Sequence, residues 1–180
     1  MERELCMNSK AEAFKNYLDG NDLGAFEIQE VEGDEQGTVI FRSNVSTEGQ
    51  QLPTIVLVDD SVFTMIRIQV SPGSRTKENE LQVLRLINDQ NLTYKPFKLY
   101  FDNEGSLILD TCILVPGEDF SQLGEEIYGM FDILIDFLNK NYRVLMKKIW
   151  GEEPAPSAEE STEAASEDKC ETLTFCGCLC

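Results

Sequence analysis

Residues 95–115, Lys-Pro-Phe-Lys-Leu-Tyr-Phe-Asp-Asn-Glu-Gly-Ser-Leu-Ile-Leu-Asp-Thr-Cys-Ile-Leu-Val, constrain the fold more than any other stretch. Phe97, Leu99 and Phe101 alternate with Lys98, Tyr100 and Asp102, the two-residue period of a strand with one buried face. Asp102-Asn103-Glu104-Gly105 supplies turn chemistry, with a glycine free to take positive φ. Leu107, Leu109, Thr111, Ile113 and Val115 then alternate back. The stretch predicts a β-hairpin.

Upstream, Ser9-Lys-Ala-Glu12 reads as a capping box. Phe14, Tyr17 and Leu18 share one helical face, and Gly20 ends this short first helix. Four strands are then expected, at residues 26–31, 38–42, 54–58 and 62–70. The third is a continuous apolar run, as in a central strand, with Pro53 at its start. The turns between them are short, so an antiparallel meander follows. Ser71-Pro-Gly-Ser74 breaks the pattern, and Thr76 is the expected N-cap of a second helix striped by Leu81, Leu84 and Ile87. After the hairpin, Asp119 or Ser121 is expected to cap a third, long helix. Its apolar stripe is Leu123, Ile127, Phe131, Leu134, Leu138, Tyr142, Leu145 and Ile149. Acids at its start and Lys140, Arg143, Lys147 and Lys148 at its end complement the helix dipole. The fold class expected is α+β: an antiparallel sheet of about six strands packed by three helices, in the order α-ββββ-α-ββ-α.

With 180 residues there is room for one domain and an appendage. Residues 1–150 form the expected domain, large enough to bury roughly 70% of its unfolded surface without staples. From residue 151 the composition shifts to Pro, Ala, Ser and Glu, and residues 151–180 are expected to be a disordered acidic tail. Fifteen basic against 33 acidic residues give a net charge of −18. One base and eight acids of that total lie in 151–180, which is −7 and leaves −11 on the domain. Both parts repel phosphate, so neither nucleic acid nor an anionic membrane is an expected partner. The first ten residues carry acids and no apolar run, and the most apolar run, 127–138, is broken by Asp132 and Asp136. Neither a secretory signal nor a spanning helix is expected, and the location expected is cytoplasmic.

The domain contains no histidine, which removes His-based triads, acid–base pairs and His–metal sites. Gly-x-x-x-x-Gly-Lys and Gly-x-Gly-x-x-Gly are both absent. Asp59-Asp60 and Asp102-Asn-Glu-Gly105 read as turns rather than as an acid pair or a calcium loop. The chain end carries Cys170, Cys176, Cys178 and Cys180. Two readings stand there: four thiolates holding Zn²⁺ or Cu(I), or a reduced thiol cluster.

The order helix, four strands, helix, hairpin, helix resembles the YbjN-like family of bacterial sensory-transduction regulators. Asn91-Leu-Thr-Tyr94, residues 97–109 and the amphipathic helix after Phe120 carry the resemblance, which spans about residues 9–150. It implies a fold similar to type III secretion chaperones, whose members often dimerise and bind other proteins. By that resemblance the chain is a non-enzymatic protein-binding regulator or chaperone-like module of the bacterial cytoplasm, binding a protein client or itself as a homodimer. No catalytic residues come with it. The alternative is a thiol- or metal-handling protein acting through the tail cysteines. Period-two reading of the strands puts Phe63, Met65, Tyr100, Ile108 and Leu114 on the sheet face opposite the hairpin's core side, the expected partner site.

Overall fold

The computed structural model describes residues 7–151. Within them the order is α1 (Ser9–Gly20), β1 (Glu27–Glu30), β2 (Val39–Thr47), β3 (Gln50–Val58), β4 (Phe63–Ser71), α2 (Glu80–Thr93), β5 (Lys98–Phe101), β6 (Leu107–Leu114) and α3 (Leu123–Trp150). The strands form one antiparallel sheet, ordered β1-β2-β3-β4-β6-β5. This is the α+β architecture expected, six strands and three helices.

Burial alternates along the strands, and the buried set lies on one face. Val39, Phe41, Val56, Val58, Ile66, Ile68, Leu99, Leu107 and Leu109 join Phe14 and Leu18 of α1, Val83 and Ile87 of α2, and Leu134, Phe137 and Leu138 of α3 in a single core. Each such side chain stabilises the fold by roughly 1.5–3 kcal/mol on leaving water. Phe14 meets Phe41 edge-on, with ring centroids 4.8 Å apart. Phe137 packs on Phe97 at 4.5 Å and on Tyr94 at 4.9 Å. All three helices therefore cover the same side of the sheet.

Several elements depart from the sequence reading, each for a local reason. The N-cap of α1 is Asn8, one residue earlier than the capping box: its side chain accepts from the Ala11 N–H at 2.8 Å. β2 and β3 are nine residues each, joined by a two-residue turn at Glu48-Gly49 with φ of 47° and 76°. Positive φ at both positions is the type I′ geometry that matches strand twist. Thr47 and Gln50 close that turn, which makes Asn44 and Pro53 a non-hydrogen-bonded pair. Pro53 thus lies inside β3 without costing β2 a bond, and pairing with β4 begins only at Thr54.

α2 runs Glu80–Thr93, and the expected cap Thr76 stands ahead of it, its carbonyl accepting from the Glu80 N–H at 3.0 Å. Thr76 and Asn79 exchange hydrogen bonds of 2.8 and 3.2 Å that close the turn ahead of it. The Asn79 amide also donates to the carbonyls of Ser74 and Ile149, tying the start of α2 to the end of α3. That anchor sets the rotation of α2: Val83 and Ile87 face the core, whereas Leu81 and Leu84 of the expected stripe are 63% and 43% exposed. The stripe expected of α3 is the one it buries, with Tyr142 only half-buried and Phe137 added. Neither Asp119 nor Ser121 caps α3: the Asp119 carboxylate accepts from the Ser121 N–H in a turn two residues before the helix. At the sheet's far edge the Asn91 amide bonds both the N–H and the carbonyl of Leu99, at 2.8 and 2.9 Å, which occupies the outward groups of β5.

Candidate functional site

With the helices on one side, the other face of the sheet is left open among the described residues. Two continuous rows cross it, each defined by direct cross-strand pairing, which places paired side chains on the same face. One row is polar at its ends: Glu27–Arg42–Ile55–Arg67–Asp110–Lys98, running from β1 to β5, where the Lys98 ammonium turns to the carbonyls of Asn91 and Tyr94 at the end of α2. The next is apolar at its centre: Gln29–Ile40–Leu57–Met65–Cys112. Ile40, Ile55, Leu57 and Met65 are half-buried and stand outside the core that the described helices cover. At the β1 corner the face dips into a groove of about 590 Å³, lined by Glu27, Arg42, Asn44, Pro53 and Ile55 together with the chain at Gly24–Phe26.

The centre of the polar row is a closed network. Arg67 donates from Nε to Asp110 Oδ1 at 2.9 Å and from a terminal nitrogen to Oδ2 at 2.8 Å. The Tyr100 hydroxyl donates to Asp110 Oδ2 at 2.7 Å and accepts from Arg67 at 3.0 Å. Burial, with the hydrogen bond and negative charge of Asp110 adding to it, pushes the Tyr100 phenol up to about 12. The bond to Asp110 likewise raises the Arg67 guanidinium, against the opposing effect of burial. Both shifts favour the protonated forms of Tyr100 and Arg67, the forms that donate within the network, so the network orders the face.

Of the expected partner residues, Phe63 and Leu114 are cross-strand neighbours, 50% and 61% exposed, at the end of the face beside exposed Val62. Met65 and Tyr100 are half-buried on it. Ile108 is a correction. It lies in register between Gln69 and Tyr100 and is only 4% exposed, so it is part of the floor and offers a partner no surface.

The sequence reading missed Ile40, Ile55, Leu57 and the Arg67–Asp110 pair. Ile55 and Leu57 were concealed by the continuous apolar run 54–58, which reads as a strand buried on both faces. The Arg67–Asp110 contact spans 43 positions and exists only through the β4–β6 register.

Compared with known proteins, the chain matches no family model and no curated protein. The resemblance to the YbjN-like family therefore rests on the residues that suggested it.

Elsewhere the charged groups serve structure. Asp59 accepts from the N–H and hydroxyl of Ser61, and Asp102 from the N–H groups of Glu104 and Ser106. Lys10, 4% exposed, donates to the carbonyls of Ser61 and Phe63, both at 2.7 Å, pinning α1 to the loop ahead of β4. Burial depresses its pKa, with Asp59 and Asp60 pulling the other way. Burial also pushes the Cys112 thiol up, with Asp59 adding to it, which leaves a protonated, weakly nucleophilic thiol. Among the described residues no group of three or more His, Cys, Asp or Glu side chains could hold a metal ion. Cys170, Cys176, Cys178 and Cys180 lie outside the described residues.

Proposed function

We propose that this protein is a non-enzymatic protein-binding module, a regulator or chaperone-like protein of the YbjN-like kind acting in the bacterial cytoplasm. Its docking surface is the open face of the sheet. The observation that carries this reading is the apolar row Ile40–Leu57–Met65–Cys112, which no element among the described residues covers, since α1, α2 and α3 all pack on the other side. A sheet buries its apolar face against another layer, and a contiguous uncovered patch of more than a few hundred Å² marks a partner site. A net charge of −18 supports a protein partner over nucleic acid or an anionic membrane. No helix among the described residues is long and apolar enough to cross a membrane.

Leu57→Glu combined with Met65→Glu tests the reading. Both side chains are half-buried on the open face. The variant should keep its circular dichroism spectrum and cooperative melting while losing association with itself or with a client retained by the wild type. Full retention of that association by the folded variant would place the docking surface elsewhere.

A further inference from the structure

The two edges of the sheet are finished differently. At β5 the Asn91 amide takes both outward backbone groups of Leu99, at 2.8 and 2.9 Å. At the other edge β1 is only four residues long, and its pairing with β2 stops at Glu27–Arg42. The rest of β2, Ser43-Asn-Val-Ser-Thr47, runs on as an edge of its own. Thr47 and Gln50 close the turn to β3 as a hydrogen-bonded pair, so Ser43 and Val45 direct their backbone groups to β3. The N–H and C=O of Asn44 and Ser46 point outward, and among the described residues none of these four groups has a hydrogen-bond partner. Beside them the chain at Gly24–Phe26 parts from β2 and leaves the groove of about 590 Å³, with Asn44, Pro53 and Ile55 along it. Residues 43–47 carry no lysine, proline or bulge of the kind that turns an added strand away.

We propose that residues 172–176 of this chain, Thr-Leu-Thr-Phe-Cys, add to this edge as a further strand antiparallel to β2. The place where the tail starts selects this occupant. Thr47 bonds Asn139 of α3 at 2.9 Å, and Glu48 pairs with Arg143 at 2.7 Å. Gly151 follows Arg143 by eight residues, about 12 Å of helix, so the tail leaves α3 at the same end of the sheet as the free edge. The chain from Gly151 to Thr172 can extend to roughly 70 Å, more than this approach needs. Composition selects the segment. Residues 152–171 hold eight acids, one base and no large apolar side chain, whereas 172–176 are uncharged and rich in β-formers. Entering from the Thr47 end, the segment sets Leu173 opposite Ser46 and Phe175 opposite Asn44. Phe175 then continues the row Asn44–Pro53 at the groove. Gly177 comes opposite Arg42, whose outward groups Glu27 already holds, and a glycine there lets the chain turn aside. Tethering keeps the segment at an effective concentration of about a millimolar, which closes the edge to strands of other chains. The site is the edge of β2 rather than the open face, so it stands or falls apart from the docking reading.

The experiment is residue-resolved amide hydrogen exchange of the full chain, wild type against Leu173→Asp combined with Phe175→Asp. Both substitutions lie outside the folded residues 7–151, and thermal melting confirms that the variant is folded. In the wild type the Asn44 and Ser46 amides should exchange at least about tenfold more slowly than in the variant. The Val45 amide, bonded to β3, should exchange alike in both and serves as the internal reference. The protection should be the same across a hundredfold range of protein concentration, as a contact within one chain requires. Wild-type Asn44 and Ser46 amides that exchange as fast as those of the variant overturn the proposal. Protection that survives the double substitution overturns residues 172–176 as the occupant. Protection that grows with protein concentration overturns the contact within one chain and gives the edge to a second copy.

Discussion

Arg67 and Asp110 stand directly opposite each other on β4 and β6 and are joined by two hydrogen bonds, of 2.9 and 2.8 Å, on the side of the sheet away from the three helices. Asp110 is the more enclosed partner, its side chain 16% exposed against 38% for Arg67. Arg67→Ala leaves the carboxylate with only the Tyr100 hydroxyl and should destabilise the fold by about 1–3 kcal/mol, the cost of an under-satisfied, partly buried charge. Solvent reaches the guanidinium, so the larger penalty of a fully buried pair does not apply. Arg67→Lys should recover part of the loss without the two-pronged geometry. Urea unfolding of the variants measures this.

Tyr100 sets an alkaline limit. Its folded-state pKa, about 12, lies above the ordinary tyrosine value of 10.0. The group therefore contributes stability that is fully present below pH 10 and is lost as pH rises toward 12. Tyr100→Phe should remove this share of the pH dependence. The stability difference between wild type and variant, measured from pH 8 to 12, should change through that window and be flat below it.

Two glycines of α3 should respond oppositely to alanine. A Cβ at Gly124 would overlap the ring of Tyr17 on α1, whereas one at Gly129 meets nothing within 4 Å. Gly129→Ala should stabilise by roughly 0.5–1 kcal/mol through helix propensity. Gly124→Ala should destabilise by about 1–3 kcal/mol, the cost of overpacking a close helix–helix contact. Thermal melts of the two variants give the signs directly.

The β2–β3 turn gives a purely backbone test. Gly49 has φ +76°, and a Cβ there would meet nothing within 4 Å. Gly49→Ala should therefore cost about 1–2 kcal/mol from the left-handed conformation alone. A neutral result in chemical denaturation would show that the turn relaxes to another type.

What the sequence made legible follows the reach of each signal. Period-two alternation assigned both faces of the 95–115 hairpin, including Tyr100 and Leu114 on the open side, because alternation is a local property of a strand. The α3 stripe was legible for the same reason over eight turns of helix. The β2–β3 turn was not, since Glu48-Gly49 lacks the Asn or Asp that usually announces type I′ geometry, and Pro53 argues against a strand interior. Leu81 and Leu84 misled because α2 is turned by Asn79, which holds Ser74 and Ile149 from positions far apart in the chain. The charge order across the face depends on five strand registers at once, and no local pattern encodes it.

The most direct test of the central proposal, that the open face of the sheet is a docking surface, is hydroxyl-radical footprinting of Met65 as its partner, a client or a second copy, is titrated in. Met65 sits at the middle of the face, directly opposite Leu57 on the neighbouring strand. Its oxidation rate should fall as the partner rises through the association range, while Met130 and Met146 on α3 keep theirs. A Met65 rate that stays constant across that range, in a chain shown to associate, would contradict the account.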